Sequence, residues 1–164
     1  GCQGVERIAH PDQPSRQVLQ IAKPSAAWPA GAVWNFPNGR SGTLTLRFQI
    51  RPGFRGANLA LADHYSVPWD KEDHLYSLWN MPINAQARLL VSAQVATNQW
   101  HTLKVAWSLA KRSAQVSLNG KKVATLPLRK ETAGANYLRI RSTAPETDAA
   151  GMLVESVEVK VENR

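Results

Sequence analysis

Apolar and polar residues alternate strictly from Thr43 to Ile50, and this period of two constrains the fold more than any other feature of the chain. Leu44, Leu46, Phe48 and Ile50 fall on one side and polar residues on the other, the pattern of a strand with one buried face. Trp100 to Trp107 repeats it, with His101, Leu103, Val105 and Trp107 on one side and Thr102, Lys104 and Ala106 on the other. Tyr137 to Ser142 reads YLRIRS, and in the tail from Met152 to Val161 the residues Val157, Val159 and Val161 share a side. Ala114 to Leu118 and Lys121 to Leu126 flank Asn119-Gly120. That pair suits a type I′ turn, whose two central residues take positive φ, so a hairpin is predicted here.

Further strands are expected at Gln17 to Ala22, Ala32 to Phe36, Asn58 to Ala62, Leu75 to Trp79 and Arg88 to Val95, each bounded by Gly, Pro, Asn or Asp. Helical periodicity is confined to a turn or two near Asp70 to Leu75. About ten strands with short turns predict an all-β sandwich of two antiparallel sheets. The 164 residues fit one domain, assigned to 15–164, with a loosely held opening segment, 1–14. No apolar run approaches the roughly 20 residues of a membrane span.

Cys2 is the only cysteine, which excludes intrachain disulfides and zinc sites built on paired cysteines. The opening GCQGVERIAHPDQP has no basic stretch followed by an apolar one, so no export signal is seen in it. The Ser/Gly-rich tether expected after a lipid-bearing cysteine does not follow Cys2. A net charge of +8 and a pI near 10.1 raise nucleic acid as a partner. The basic residues are scattered, however, with only Lys111-Arg112, Lys121-Lys122 and Arg129-Lys130 adjacent, and no nucleic-acid motif accompanies them. A basic soluble surface is the expectation, with acidic polysaccharide open as a partner.

The segment NQWHTLKVAWSLAKRSAQVSLNGKKVATLPL, Asn98 to Leu128, resembles the core of laminin-G-like and concanavalin-like domains, where a W-H-x-L-x-V strand precedes a V-x-L-N-G-x-x-V hairpin. The resemblance implies a jelly roll. ALADHYSVPWDKEDHLYSLWN, Ala60 to Asn80, is similar to a segment of such domains appended to sialidase-like and other secreted bacterial glycan-degrading proteins. That implies a secreted, periplasmic or cell-surface accessory module beside a catalytic domain, with a glycan as partner.

Chemistry is sparse. The E-x-D-x-x-E string that supplies paired carboxylates to sandwich hydrolases is missing, as are the R-x-E-x-R string of alginate-lyase-like sandwiches and the G-x-S-x-G elbow. Glu155, Glu158 and Glu162 are expected as solvent-side charges. One constellation stands out: Asp63, His64, Asp70, Asp73 and His74 with Tyr65, Trp69 and Tyr76 interleaved. Asp63, Asp70 and Asp73 offer oxygen ligands for calcium, although the spacing matches no defined loop; the alternative is a polar loop whose aspartates cap turns. Sugar rings stack on exposed indoles and phenols while polar neighbours orient the hydroxyls, so Asp63, His64, Tyr65, Trp69 and Trp79 are the candidate carbohydrate-binding residues. For Trp79 a core position competes. Trp28, Trp34, Trp100 and Trp107 are expected in or beside strands as ordinary buried residues, and His101 as a satisfied, partly buried histidine. The expected function is a noncatalytic glycan-binding or structural accessory module. A diverged glycoside hydrolase or polysaccharide lyase, and a protein-interaction module, stay open beside it.

Overall fold

The computed structural model describes residues 3–67, 70 and 72–162. Along the chain run β1 (Val5–Ala9), β2 (Gln17–Lys23), β3 (Gly31–Gly39), β4 (Ser41–Ile50), β5 (Ala57–Ala62), α1 (Asp73–Tyr76), β6 (Trp79–Ile83), β7 (Arg88–Leu89), β8 (Ala93–Gln94), β9 (His101–Ser108), β10 (Ser113–Leu118), β11 (Lys121–Pro127), β12 (Ala135–Ser142) and β13 (Asp148–Glu162). The larger sheet has seven strands in the order β1-β2-β13-β4-β9-β10-β11, and the smaller has six, β3-β12-β5-β6-β7-β8. Every pairing is antiparallel.

The alternating strands form the inner faces. Leu44, Leu46, Phe48 and Ile50 of β4 and Leu103 and Val105 of β9 meet Leu59 and Leu61 of β5, Met81 and Ile83 of β6, and Leu138 and Ile140 of β12 in one buried cluster. Burying each such side chain stabilises the fold by about 1.5–3 kcal/mol. Trp107 lies over Gly42, its Cα partner across the ladder; a Cβ on Gly42 would stand 2.5 Å from the indole ring, so only glycine fits beneath it. The hairpin forms as expected, with Asn119 at φ 50° and Gly120 at φ 81° and Leu118 opposite Lys121. Asn119 also explains His101. Its amide meets His101 Nδ1 at 2.9 Å, while the other ring nitrogen donates to the Ala96 carbonyl at 2.8 Å.

Several expectations are corrected. Leu75 to Trp79 is not a strand: Asp70 accepts the Glu72 backbone N–H (2.9 Å) and bends the chain into the single turn of α1, and β6 begins only at Trp79. Arg88 to Val95 is two short strands around a tight turn rather than one. In the opening segment, Val5–Ala9 pairs along its whole length with β2. Trp28 is 57% exposed, because the β2–β3 connection carries it away from both sheets. Glu158 and Glu162 face solvent, but Glu155 does not. A register shift between Val154 and Ser156 makes Glu155 the extra residue of a bulge, and its side chain is 9% exposed against Arg47, Arg16 and His10.

Candidate functional site

The outer face of the smaller sheet carries Asn58, Asn80, Arg139 and Arg141 side by side. On β12 the inward residues are Leu138 and Ile140, so Tyr137, Arg139 and Arg141 point outward. Cross-strand register sets Arg139 beside Ala60 and Asn80, and Arg141 beside Asn58 and Pro82. The described residues between Asp63 and Ser77, with α1, are laid over part of this face. Two arginines hold it there: Arg139 Nη2 donates to the Val67 carbonyl at 2.7 Å, and Arg141 donates to the Asp70 carbonyl.

Carboxylates complete the attachment. Asp73 is buried in an ion pair with Arg139, itself only 3% exposed, and His64 Nε2 stands 3.4 Å from the same carboxylate. Asp63 meets Lys130 at 2.8 Å and His64 Nδ1 at 3.0 Å. Burial alone would raise the Asp63 carboxyl, but hydrogen bonds from Lys130, His64 and Thr132 outweigh it and pull the pKa down to about 2. Arg141 is shifted downward by burial and by the neighbouring Arg139 guanidinium.

The candidate residues therefore have separate fates. Asp63, His64 and Asp73 come together in an ion-pair network with Lys130 and Arg139. Of the three possible calcium ligands, Asp63 and Asp73 pair with Lys130 and Arg139, and Asp70 turns its side chain to the Glu72 N–H. Among the described residues no three metal-ligating side chains converge. Tyr65 is exposed, edge-on to Tyr137 at 6.3 Å. Trp79 is fully buried in the core and offers no face to a ligand. Trp69 lies outside the described residues.

What the segment leaves uncovered was not read from the sequence. Beside α1 lies a recess of about 310 Å³ lined by Asn58, His74, Asn80, Pro82, Arg141 and Thr143. Asn58 donates to Asn80 Oδ1 at 2.9 Å, and Asn80 donates to the His74 carbonyl at 2.7 Å, where Arg129 also donates at 2.6 Å. This chain of bonds fixes both amides and leaves Asn58 Oδ1 as an acceptor. Across Arg141 and Thr143 a second recess of about 310 Å³ opens between the β2–β3 and β12–β13 connections, lined by Lys23, Ala26, Pro29, Ala144 and Pro145. Trp28 stands at its margin by sequence, between two residues of that lining. The one signal available was parity, since YLRIRS already puts Arg139 and Arg141 on one side.

No family model and no curated protein matches the sequence. Among solved structures, a sialidase matches with a TM-score of 0.66 at 13% identity, over 88% of this chain and 15% of that one. This chain thus spans a small part of the sialidase's length. A variant of human galectin-16 matches with a TM-score of 0.58 at 7% identity, over 80% of this chain and 95% of that one. The carbohydrate-binding module CBM66 from Bacillus subtilis matches with a TM-score of 0.54 at 10% identity, over 95% of this chain and 91% of that one. These likenesses establish the fold as a concanavalin-like jelly roll.

Proposed function

We propose that this protein is a noncatalytic glycan-binding module whose ligand lies on the outer face of the smaller sheet. The observation that carries the reading is the Asn58, Asn80, Arg141 and Thr143 recess beside α1. Amide, guanidinium and hydroxyl groups are what sugar hydroxyls need, and here strand register and mutual hydrogen bonds hold them in place, so little ordering cost falls on binding. Fold-mates that carry the names galectin and carbohydrate-binding module support it. The sialidase likeness, covering 15% of that protein, supports a place beside a catalytic domain in a longer extracellular carbohydrate-active protein.

The same recess argues against catalysis at this position. Among the described residues its lining contains no carboxylate, whereas glycoside hydrolysis uses two. A second reading, docking onto a catalytic domain, is favoured by Leu75 and Tyr76, both about half exposed on α1.

A glycan array followed by titration calorimetry tests the first reading. The native chain should bind a subset of glycans, and Asn58→Ala should weaken that binding about tenfold, roughly 1.4 kcal/mol. Equal binding by the variant would place the ligand elsewhere, and an array on which nothing binds would sink the proposal and leave docking through Leu75 and Tyr76.

A further inference from the structure

The ladder between β2 and β13 ends at Leu19 opposite Val154, yet neither strand stops there. β2 reaches back through Val18 to Gln17, still paired with β1, and β13 goes on through the bulged Glu155 beside β4. The two strands therefore fork, and the backbone groups that face each other across the fork lie outside the β2–β13 ladder. A recess of about 310 Å³ occupies this place, lined by Gln17 and Leu19 on one prong, by Glu155 and Ser156 on the other, and by Arg7 and Trp34.

Parity explains why these side chains meet. Trp34 shares its side of β3 with Phe36, a core residue, and is the Cα partner of inward-facing Leu138, so it turns toward the larger sheet. Leu19, packed against the core, shares its side of the larger sheet with Gln17 and, across the ladder, with Arg7. β3 is the edge strand of the smaller sheet, so no further strand covers Trp34, which is only partly buried. Among the described residues the side chains of Arg7, Gln17, Trp34 and Ser156 make no hydrogen bond, and Arg7 makes no ion pair. Glu155 differs, being already held by Arg47, Arg16 and His10.

An indole surface ringed by unspent donors and acceptors suits a sugar, whose C–H groups lie against aromatic carbon while its hydroxyls meet amide, guanidinium and main chain. The volume equals about ten waters at roughly 30 Å³ each, which is room for one ring. Charge narrows the class further. An anion would sit against the Glu155 carboxylate and a cation against the Arg7 guanidinium, whereas a hydroxyl donates or accepts as its neighbour requires. Glu155 is the one carboxylate among the described residues of the lining, and glycoside hydrolysis uses two, so the recess is built to hold a sugar rather than cleave it.

We propose that the fork between β2 and β13 is a second sugar site, taking one uncharged ring of a glycan, and that the module is bivalent. Its lining shares no residue with the Asn58 recess, so the site goes beyond the function proposed above and neither depends on the other. Two sites engaging one polysaccharide raise avidity without any new contact.

NMR titration of the isotope-labelled chain tests this, using methyl glycosides of glucose, galactose, mannose, xylose and fructose, with glucuronate and a sulfated galactose as charged counterparts. The Trp34 indole N–H, assigned by its loss in Trp34→Phe, and the Gln17 side-chain amide should shift with at least one uncharged glycoside, and equally so in Asn58→Ala. Gln17→Ala, a change at an exposed residue, should weaken that titration about tenfold while leaving the response of the Asn58 amide as it was. Silence at Trp34 and Gln17 while the Asn58 amide responds would overturn the second site and leave the glycan module standing. Loss of the Trp34 response in Asn58→Ala would overturn bivalency, and a stronger response to glucuronate or the sulfated sugar would overturn the uncharged assignment. No response at either recess with any of these sugars would overturn both sites together.

Discussion

Two irregular segments are laid across outer faces of the sandwich, and each is tied down by a carboxylate that meets arginine and histidine. Residues 10–16 cross one end of the larger sheet, where Glu155 receives Arg47 Nε at 2.6 Å, His10 Nε2 at 3.1 Å and Arg16 Nη1 at 3.3 Å. The ring of His10 is further fixed by stacking on Trp100 at 4.8 Å and by accepting the Asp12 and Gln13 backbone N–H groups on Nδ1. That leaves its proton on Nε2, directed at Glu155. Over the smaller sheet the equivalent tie is Asp73 with Arg139 and His64. The chemistry is alike, but the surroundings are not. The side chains of Arg47 and Arg16 are 43% and 53% exposed, whereas those of Arg139 and Asp73 are 4% and 2% exposed. One lock is wet and the other dry, and water can replace a lost partner only in the wet one.

The dry lock should therefore be the more damaging to break. Asp73→Ala leaves the Arg139 guanidinium buried without its counterion, and a loss of about 3–5 kcal/mol in chemical denaturation is expected. Glu155→Ala should cost about 1–3 kcal/mol, because its two arginine partners regain water and the main residual penalty falls on buried His10. An equal or larger loss at Glu155 would show that the exposures of the cations do not govern the two locks.

Acid should sharpen the difference on the dry side. Asp63 has its carboxyl pKa pulled from 3.8 to about 2. Its contribution is full above the unfolded value and is lost as pH falls toward the folded one. Native protein should thus lose stability faster than Asp63→Asn between about pH 4 and pH 2, followed as the denaturation midpoint against pH. Lys130→Met should remove part of that difference, since the Lys130 hydrogen bond is the largest influence lowering this pKa.

How much of this was legible in sequence depended on whether the information was local. Asn119-Gly120 announced its turn because the residues themselves prefer positive φ. Leu90 and Val91 make a turn of the same sense, at φ 50° and 66°, with residues that pay about 1–2 kcal/mol each for that conformation. No local rule could have found it, and a single strand was expected there. Counting by twos placed Phe48, Leu103 and Ile140 in the core, but failed at Glu155, where a bulge resets the parity. The site was harder still. Asp63 and His64 drew notice as a cluster in sequence and meet each other in the fold, whereas Asn58, Asn80 and Arg141 come from three strands and become neighbours only through cross-strand register.

The smallest expected effect separates the locks by function rather than strength. Arg47 points outward from β4, in a cross-strand row with Thr102 and Ser156, and its guanidinium lies 5.8 Å from the Trp100 ring centroid. Arg47→Ala removes one half-exposed ion pair and one cation–π contact, together worth about 1 kcal/mol or less at such exposure. The candidate glycan face belongs to the other sheet, about 10 Å away through the packed core. Close-packed cores transmit large displacements, but a truncation that leaves both ladders and the β4 core residues intact has none to transmit. Glycan retention by Arg47→Ala should accordingly stay within about twofold of native at constant ionic strength, a change under about 0.5 kcal/mol. A tenfold loss instead would mean that the wet lock, and the face it covers, takes part in binding.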